Sequence, residues 1–260
     1  MTDVHTAAQR GFSAEAQAYA RGRPEYPAAI LPWLANEMEV AAGKVVVDLG
    51  AGTGKFTKLL MLTGADVIAV EPVEAMRAQL TASLASVQVR AGTATAIPIA
   101  AASADAVVCA QAFHWFATEA ALAEIHRVLR PGGGLGLVWN VRDEAVDWVA
   151  AITAIIKPYE GDAPRFYKGD WRKPFSAGNS TGRSFTDLEM TSFDYEHVGS
   201  AQEVILDRFL SVSFIAALPA SENAKVADRL RALVASHPAL RARDKIAFPY
   251  RTEAYRCLRR

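Results

Sequence analysis

One stretch, Val45–Thr57, limits what this chain can fold into more than any other. Val45, Val46 and Val47 are β-branched and apolar, which is typical of a buried central parallel strand. Glycine then alternates through Gly50, Gly52 and Gly54, and it allows positive φ and close approach of the backbone to a ligand. The apolar spacing that follows favours a helix. A strand, a glycine loop and a helix in this order indicate a nucleotide-binding α/β unit.

The pattern of strand and helix repeats on both sides of this unit, which predicts a Rossmann-like, doubly wound α/β fold with a parallel sheet. The predicted strands begin near Val45 and continue with Asp66–Val70, Val87–Ala91, Asp105–Ala110 and Leu135–Trp139. Helices are predicted at 12–20, Ala28–Ala41, Glu74–Leu84 and Thr118–Leu129. The segment Pro131–Gly134 is expected to prevent the last of these helices from continuing.

Beyond Asn140 the pattern changes, and the last hundred residues are predicted to add two strands and a helical lid layer. The predicted helices are Asp147–Ile156, Ala201–Leu218 and Ser221–Ser236, and the strands are Phe185–His197 and Ile246–Cys257. We expect one domain over 1–260, with a helical cap at 1–42, a cofactor-binding core at 43–142 and a substrate-side lid with closing strands at 143–260.

Composition excludes several classes of protein. Hydrophobic residues make up 51% and charged residues 22%, so a full core can be buried and a disordered chain is not expected. Lys plus Arg and Asp plus Glu both number 28, and a net charge of zero gives no general attraction to nucleic acid or membranes. Residues 225–260 nevertheless hold ten Lys or Arg and three acids.

Partners and location follow from what the sequence does not contain. No run approaches 18 apolar residues, and the polar start Met1–Arg10 has no signal-peptide core, so we expect a cytoplasmic protein without a membrane partner. The two cysteines show no metal-ligand spacing, and no metal is expected. The expected oligomeric state is a monomer or a homodimer.

The glycine loop itself argues against a dinucleotide. Dehydrogenases use G-x-G-x-x-G, whereas this chain has G-x-G-x-G with Lys55 at the third fingerprint position. Asp48 ends the strand just before the loop, where a carboxylate would repel a pyrophosphate and attract a cation. S-adenosylmethionine matches this description because its sulfonium and ammonium groups are cationic and its adenosine is uncharged.

A second carboxylate occupies the position expected for a ribose contact. Glu71 follows the second predicted strand, nineteen residues after Gly52, and a carboxylate can accept hydrogen bonds from both ribose hydroxyls. The alternative is a first-turn acid at the start of the helix that follows. We favour ribose binding.

Five motifs in order carry a family resemblance: Val45–Thr57, Ala69–Pro72, Gly92–Pro98, Ser103–Val107 and Leu129–Gly133. Together they resemble the class I S-adenosylmethionine-dependent methyltransferases. Tyr19, Arg23-Pro24, Tyr26-Pro27 and Gln111–Trp115 are similar to the small-molecule group that includes trans-aconitate methyltransferase. The resemblance implies a seven-stranded sheet, mostly parallel, whose final strand is antiparallel.

The resemblance also implies cofactor contacts. Gly50 and Gly52 would approach the methionine portion, Glu71 the ribose, and Thr93, Ala94 and Met76 the adenine, while Gln111 and His114 would face the sulfonium. Many relatives carry an acid where this chain has Thr93 or Thr95. The full set of candidate cofactor residues is Asp48, Gly50, Ala51, Gly52, Thr53, Glu71, Pro72, Met76, Thr93, Ala94 and Gln111.

Candidate catalytic and substrate residues follow the fourth and fifth strands and the aromatic loop. His114 is the candidate catalytic residue, either as a general base or, as we favour, in an orienting role. The candidate substrate walls are Tyr26, Phe113, Trp115 and Trp171. For the aromatic pair Trp115 and Phe116, core packing is the alternative. Arg142 could grip a substrate carboxylate or pair with Asp143 or Asp147, and we favour the ion pair slightly.

These observations predict methyl transfer from S-adenosylmethionine to a small molecule, by in-line displacement onto a carboxylate or hydroxyl oxygen. The alternatives are an RNA or protein methyltransferase that docks through the basic C-terminal region and a non-catalytic cofactor-binding relative. Nucleic acid is not the expected partner, because no basic groove interleaved with aromatics is visible. N-methylation of an amine stays open.

Overall fold

The computed structural model describes residues 22–176, 178–179 and 181–260. A seven-stranded sheet runs through it in the order β3-β2-β1-β4-β5-β7-β6. The strands are β1 Val45–Leu49, β2 Asp66–Val70, β3 Gln88–Arg90, β4 Ala104–Ala110, β5 Leu129–Arg142, β6 Glu189–Gly199 and β7 Ile246–Leu258.

Helices cover both faces of the first five strands, and those within residues 147–236 form a further layer, which we call the lid. They are α1 Leu31–Asn36, α2 Lys55–Met61, α3 Glu74–Ser83, α4 Glu119–Val128, α5 Asp147–Ile156, α6 Arg208–Leu210, α7 Ser213–Ala216 and α8 Ala220–Ser236. A π-helix, Gln202–Asp207, leads directly into α6, and short 3-10 turns occupy much of 157–184. The predicted helix at 12–20 lies outside the described residues, as does Tyr19.

The pairing of the strands confirms the doubly wound fold. β1 pairs in parallel with β2 and β4, β2 with β3, and β4 with β5. The last strand in sequence, β7, is antiparallel to both β5 and β6, as the resemblance implied. The chain leaves β1 toward β3 and then crosses to β4 on the other side, so the switch point of the sheet lies between β1 and β4.

Asp105 joins the strands on both sides of this switch point. Its Oδ2 accepts a hydrogen bond from the Val45 backbone N–H at 2.8 Å. Its Oδ1 accepts one from Arg130 at 2.6 Å and lies 3.7 Å from the Lys44 Nζ. A single carboxylate in the run Ser103–Val107 thus links the starts of β1, β4 and β5.

The first predicted helix is shorter than expected. Ala28–Ile30 is a 3-10 turn and α1 ends at Asn36, not at Ala41. Glu39 adopts a left-handed φ of 52°, and Met38 is buried with its methyl close to where a Cβ on Gly134 or Gly136 would lie, at 3.0 Å. Burying Met38 against the strand requires the chain to leave the helix.

The helix before Pro131–Gly134 ends at Val128, as the expected stop required, but the fifth strand begins earlier than the predicted Leu135. β5 begins at Leu129, and its pairing with β4 shifts by several residues between Ala104↔Leu129 and Ala106↔Gly134. Gly132 has a φ of 78°, and its N–H donates to the Arg259 carbonyl. The glycines therefore form a bulge within the strand, secured by the C-terminal residues.

The predicted helix Ala201–Leu218 is broken. After the π-helix and α6, Val212 takes extended dihedrals before α7 begins. The Ser211 hydroxyl donates to the Arg208 carbonyl at 3.1 Å, which satisfies an acceptor that a continuous helix would use. The apolar stripe that suggested one helix is still buried, since Ile205, Phe209 and Ile215 lie in one cluster with α5 and α8.

A segment that we call the strap, Gly22–Tyr26, crosses the carboxyl ends of the strands. The Asn140 side chain donates to the Glu25 carbonyl at 2.8 Å, and Lys55 pairs with the Glu25 carboxylate at 2.9 Å. Tyr26 packs edge-on against Phe56 with ring centroids 4.8 Å apart. The strap thereby joins α2, β5 and the lid.

In the described part of the chain no helix is long and apolar enough to cross a membrane.

Gly22 tests how the strap meets the lid. A Cβ at this position would lie 2.5 Å from the Asp207 carbonyl oxygen and 2.8 Å from the Arg208 nitrogen, both backbone atoms that cannot move aside cheaply. We expect Gly22→Ala to lower the free energy of unfolding by about 1–3 kcal/mol through overpacking. Thermal and urea unfolding will measure the change. Gly178→Ala is the matched control, because nothing lies within 4 Å of its added Cβ; equal stability of the two variants would contradict the close contact.

Candidate active site

A cavity opens at the carboxyl ends of β1 to β5, next to the switch point of the sheet. In doubly wound sheets this crevice is where ligands bind. All of the candidate cofactor residues line it: Asp48, Gly50, Ala51, Gly52, Thr53, Glu71, Pro72, Met76, Thr93, Ala94 and Gln111. The loops after four neighbouring strands of the sheet thus bring together residues as far apart in sequence as Asp48 and Gln111.

The glycine loop has the backbone that its spacing predicts. Gly50, Gly52 and Gly54 have φ values of 74°, 58° and 88°, in the left-handed region that other residues rarely adopt. A Cβ on Gly50 would lie 2.7 Å from the Cβ of Ala112, at the end of β4. Glycine is therefore needed at this position both for its dihedrals and for the contact between the two loops.

Glu71 holds the glycine loop in place. The Gly52 N–H donates to its Oε2 and the Val73 N–H to its Oε1, both at 2.9 Å. Burial raises the pKa of this carboxyl above its ordinary value, and the two backbone hydrogen bonds oppose that rise. Each carboxylate oxygen can accept more than one hydrogen bond, so capacity for hydroxyl donors from a ligand remains on the cavity side.

Asp48 is fully buried and lies at the floor of the cavity. The Thr57 hydroxyl donates to its Oδ2 at 2.6 Å, while Oδ1 has no hydrogen-bond partner among the described residues. Burial raises the pKa of Asp48 to about 7, the Thr57 hydrogen bond opposes this, and the nearby Glu71 adds to it. A positively charged ligand group would favour the ionised form of this carboxyl.

Gln111 takes a conformation that non-glycine residues seldom adopt, with a φ of 54° directly after β4. Its backbone N–H donates to the Val138 carbonyl at 2.8 Å and its side-chain amide to the Asn140 carbonyl at 3.1 Å. Asn140 in turn accepts the Thr252 hydroxyl at 2.6 Å. Strained backbone maintained by several contacts is common at functional sites, and here it directs the loop after β4 into the cavity.

His114 lies behind the cavity wall rather than in it. It is in a 3-10 turn, Phe113–Trp115, and its Nδ1 accepts a hydrogen bond from the Trp139 indole at 3.1 Å. Burial, together with the positive charges of Arg165 and Arg23, lowers the pKa of His114 to about 3. A neutral imidazole whose Nδ1 is occupied suits an orienting role better than that of a general base.

The candidate substrate residues divide into two groups. Tyr26 and Trp115 line the cavity. Phe113 and Trp171 are buried in the core instead, where Trp171 packs on Trp139 with ring centroids 4.7 Å apart. Arg142 is not one of the described residues that line the cavity. Its guanidinium lies 3.7 Å from Glu144, so its ion pair forms with Glu144 and not with Asp143 or Asp147, as was suggested.

The cavity wall also contains residues that were not among the candidates, including Lys55, Asn140 and Arg208. Lys55 follows the glycine loop and pairs with Glu25 of the strap, and Asn140 lies two residues before the end of β5. Arg208 reaches the cavity from the lid although it is 160 residues from Asp48. Its only signal in the sequence is a charged residue inside an apolar helical stripe, a position where a buried charge requires an explanation. Metal-binding groups of three or more His, Cys, Asp or Glu are absent from the described residues.

Comparison with known proteins agrees with this geometry. The sequence profile of the methyltransferase domain matches residues 47–137. An uncharacterized methyltransferase of Mycobacterium tuberculosis is 40% identical, and the match covers 94% of this chain and 94% of the relative. An uncharacterized methyltransferase-like protein of Schizosaccharomyces pombe is 37% identical, with 94% of this chain and 93% of the relative covered.

Solved structures share the fold. Phosphoethanolamine N-methyltransferase 2 of Haemonchus contortus, in complex with S-adenosyl-L-methionine, superposes with a TM-score of 0.56 at 15% identity, and the match covers 98% of this chain and 60% of that one. The relatives match almost the whole chain at well above 30% identity, and the glycine loop lies at the switch point as this class requires. The chain therefore belongs to the class I S-adenosylmethionine-dependent methyltransferases.

Proposed function

We propose that this protein transfers the methyl group of S-adenosylmethionine to an oxygen of a small molecule, a carboxylate or a hydroxyl, in the group that resembles trans-aconitate methyltransferase. One observation carries the proposal: two buried carboxylates, Asp48 and Glu71, lie at the floor of one cavity beside a glycine loop with positive φ. An acidic, phosphate-excluding pocket of this kind suits a cationic nucleoside.

The residues present fit S-adenosylmethionine. The Asp48 Oδ1 is a buried acceptor without a partner among the described residues and would face a cationic group. Glu71 would accept the ribose hydroxyls, and Thr93, Ala94 and Met76 would contact the adenine. When bound, the cofactor supplies a methyl group activated by the sulfonium, which a nucleophile takes by in-line attack.

The residues around the proposed acceptor position favour a nucleophile that does not have to lose a proton before it attacks the methyl group. His114, the candidate base, lies behind the wall with a pKa lowered to about 3, which makes it a weak base, and its Nδ1 already accepts the Trp139 indole N–H. The chain's contribution is then to position the acceptor and exclude water, which Tyr26, Trp115 and Phe116 would do as aromatic walls. A carboxylate acceptor is ionised already, so the proposal favours it over a hydroxyl or an amine.

Docking of RNA or protein on the basic C-terminal region is less well supported. Much of that charge is paired within the chain: Lys225 with Glu222 at 2.7 Å, Arg231 with Asp228 at 2.9 Å, and Arg256 with Glu189 at 2.8 Å. Paired surface charges attract phosphates weakly. A small acceptor in the enclosed cavity agrees better with this distribution.

The proposal is tested by transfer of labelled methyl from S-adenosylmethionine to a panel of carboxylates, phenols, aliphatic alcohols and amines, with RNA as a separate arm. We expect product with a carboxylate or hydroxyl and little dependence on salt. Transfer only to RNA, with a steep loss of activity as salt rises, would contradict it. Calorimetry with S-adenosylhomocysteine tests the cofactor alone.

Replacement of Glu71 should weaken the cofactor site. In Glu71→Gln an amide NH₂ faces a backbone N–H donor from Gly52 or Val73, and a buried unsatisfied donor costs about 1–3 kcal/mol. We expect the dissociation constant of S-adenosylhomocysteine, measured by calorimetry, to rise at least about tenfold. Glu196→Gln, on the exposed edge of β6, is the matched control and should bind like the wild type. Unchanged binding by Glu71→Gln would remove its proposed role.

Asp48 should make cofactor binding depend on pH. Below its pKa of about 7 the carboxyl is protonated in the free protein and must release a proton to face a cation. Affinity for S-adenosylmethionine should therefore rise with pH up to about 7, by at most about tenfold per pH unit, and then level off. Glu71, whose pKa is also raised, contributes to the same rise of affinity with pH, and this part of the rise should remain in Asp48→Asn.

The sign for stability is the opposite. Between the ordinary pKa of 3.8 and about 7, folded Asp48 keeps a proton that the unfolded chain releases, so the ligand-free protein loses stability as pH rises through this interval. Calorimetric titrations and thermal unfolding across pH, on the wild type and Asp48→Asn, measure both effects. Asp66→Asn, at the exposed start of β2, is the control; identical pH profiles for all three proteins would refute the assignment.

His114 should behave as a positioning residue. Its pKa near 3 keeps it neutral from pH 5 to 8, so the chemical shift of its ring Cε1 should not titrate in that range. His114→Ala should lower the methyl-transfer rate more than the affinity for the cofactor, because the hydrogen bond to Trp139 is lost while Glu71 and Asp48 remain. A titration near pH 6–7 that also governs the rate would instead show a general base.

A further inference from the structure

We propose that Arg208 and Arg165 form an anion subsite on the lid side of the cavity, and that the methyl acceptor carries a second, oxyanionic group bound there. The proposal rests on the proposed function and makes it more specific. The residues that select the acceptor would then belong to the lid, and not to the glycine loop or to Glu71, whose carboxylate supports that loop.

Arg208 is the central residue of this subsite. It lines the cavity, yet its side chain is only 8% exposed. Its Nε donates to the Tyr250 hydroxyl at 3.2 Å, and its guanidinium carbon lies 5.2 Å from the centre of the Phe209 ring. Its Nη1 is buried and has no hydrogen-bond partner among the described residues. A buried charged donor without an acceptor is costly unless a ligand supplies the acceptor.

The position of Arg208 is set by irregular backbone. It follows the π-helix Gln202–Asp207 and precedes the break at Val212. Single turns of π-helix occur frequently at functional sites, where they redirect a side chain that a regular helix would place elsewhere. Close contact of Gly22 with the backbone of Asp207 and Arg208 fixes this turn against the strap.

Arg165 provides a second guanidinium next to the same wall. It lies 5.6 Å from the ring of Trp115, which lines the cavity, and 4.6 Å from the ring of Phe214. Its Nε and Nη2 are buried and have no hydrogen-bond partner in the part of the chain that the structure describes. Two planar guanidinium groups with free donors match the geometry of a carboxylate or phosphate group.

The local charge balance is positive. Arg142, half-buried, is close enough to Arg208 and Arg165 for their charges to affect one another. Burial, followed by repulsion from Arg208, lowers the pKa of Arg142. Among nearby acids, Glu144 pairs loosely with Arg142 at 3.7 Å, and Glu160 is engaged by Lys168 at 3.3 Å and by the Tyr167 hydroxyl at 2.5 Å. Among these described groups the three arginines outnumber the two acids, one of which already has other partners.

The experiment measures binding of anions to the protein saturated with S-adenosylhomocysteine. The probes are glutarate and phenyl phosphate, which distinguish a carboxylate from a phosphate, and neutral dimethyl glutarate as the uncharged counterpart. Calorimetry is done on the wild type, Arg208→Gln, Arg208→Lys and Arg165→Gln. Arg231→Gln, at an exposed position on α8, is the matched control.

We expect at least one anionic probe to bind the wild type and Arg231→Gln at least about tenfold more tightly than the neutral ester. Arg208→Gln and Arg165→Gln should lose this preference by about tenfold or more, while Arg208→Lys retains part of it because the charge remains but the planar pair of donors is lost. Binding of S-adenosylhomocysteine should stay within about twofold in all variants.

Two results would overturn the inference. One is a wild type that binds S-adenosylhomocysteine but does not distinguish the anions from the ester; the proposed cofactor site would then stand and the subsite would not. The other is that Arg208→Gln and Arg165→Gln bind the anions like the wild type. If Arg208→Gln fails to fold, Arg208→Lys and Arg165→Gln decide the question. Failure to bind S-adenosylhomocysteine would instead contradict the proposed function.

Discussion

The buried carboxylate of Glu71 is the contact on which the site depends most. It accepts the backbone N–H groups of Gly52 and Val73, and so it fixes the glycine loop after β1 to the end of β2. Loops with positive φ at three positions have few contacts of their own, because glycine has no side chain to pack. Together with the hydrogen bond from the Gly50 N–H to the Val70 carbonyl at 2.8 Å, this link keeps the floor of the cavity in place beside Asp48.

The cavity is electrically asymmetric, and the asymmetry follows the topology. Its acids, Asp48 and Glu71, lie at the ends of β1 and β2, where the neighbouring Lys55 is already paired with Glu25, whereas Arg208 comes from the lid. A cationic methyl donor and an anionic acceptor would each be attracted to the end that opposes its charge. Opposite charges held apart by the protein orient two ligands toward each other without any contact between the charged residues themselves.

The predictability of the molecule differs between its parts for physical reasons. β2 was predicted to the residue, and the glycine loop, Glu71 and all the candidate cofactor residues lie in the cavity, because contacts within a strand–loop–helix unit are local in sequence. Arg208 could not be found in this way, since its place depends on a π-helix within an apolar stripe and on a strap far away in the chain. Likewise, Phe113 and Trp171 are aromatic residues in suitable segments, but the direction of their side chains is decided by core packing around Trp139.

The bulge and the broken helix show the same distinction at the level of backbone. The glycines at 132–134 suggest that β5 begins only after them, and the apolar run at 201–218 suggests one continuous helix. In both places tertiary contacts determine a different backbone. In β5 the contact is with the C-terminal Arg259, and in the lid it is with Gly22 of the strap. Since the strap also hydrogen-bonds Asn140 at the end of β5, movement of the lid would be transmitted directly to the loops that form the cavity. The residues that would select the acceptor are thus connected mechanically to those that would hold the cofactor, and a substitution in the strap should affect both.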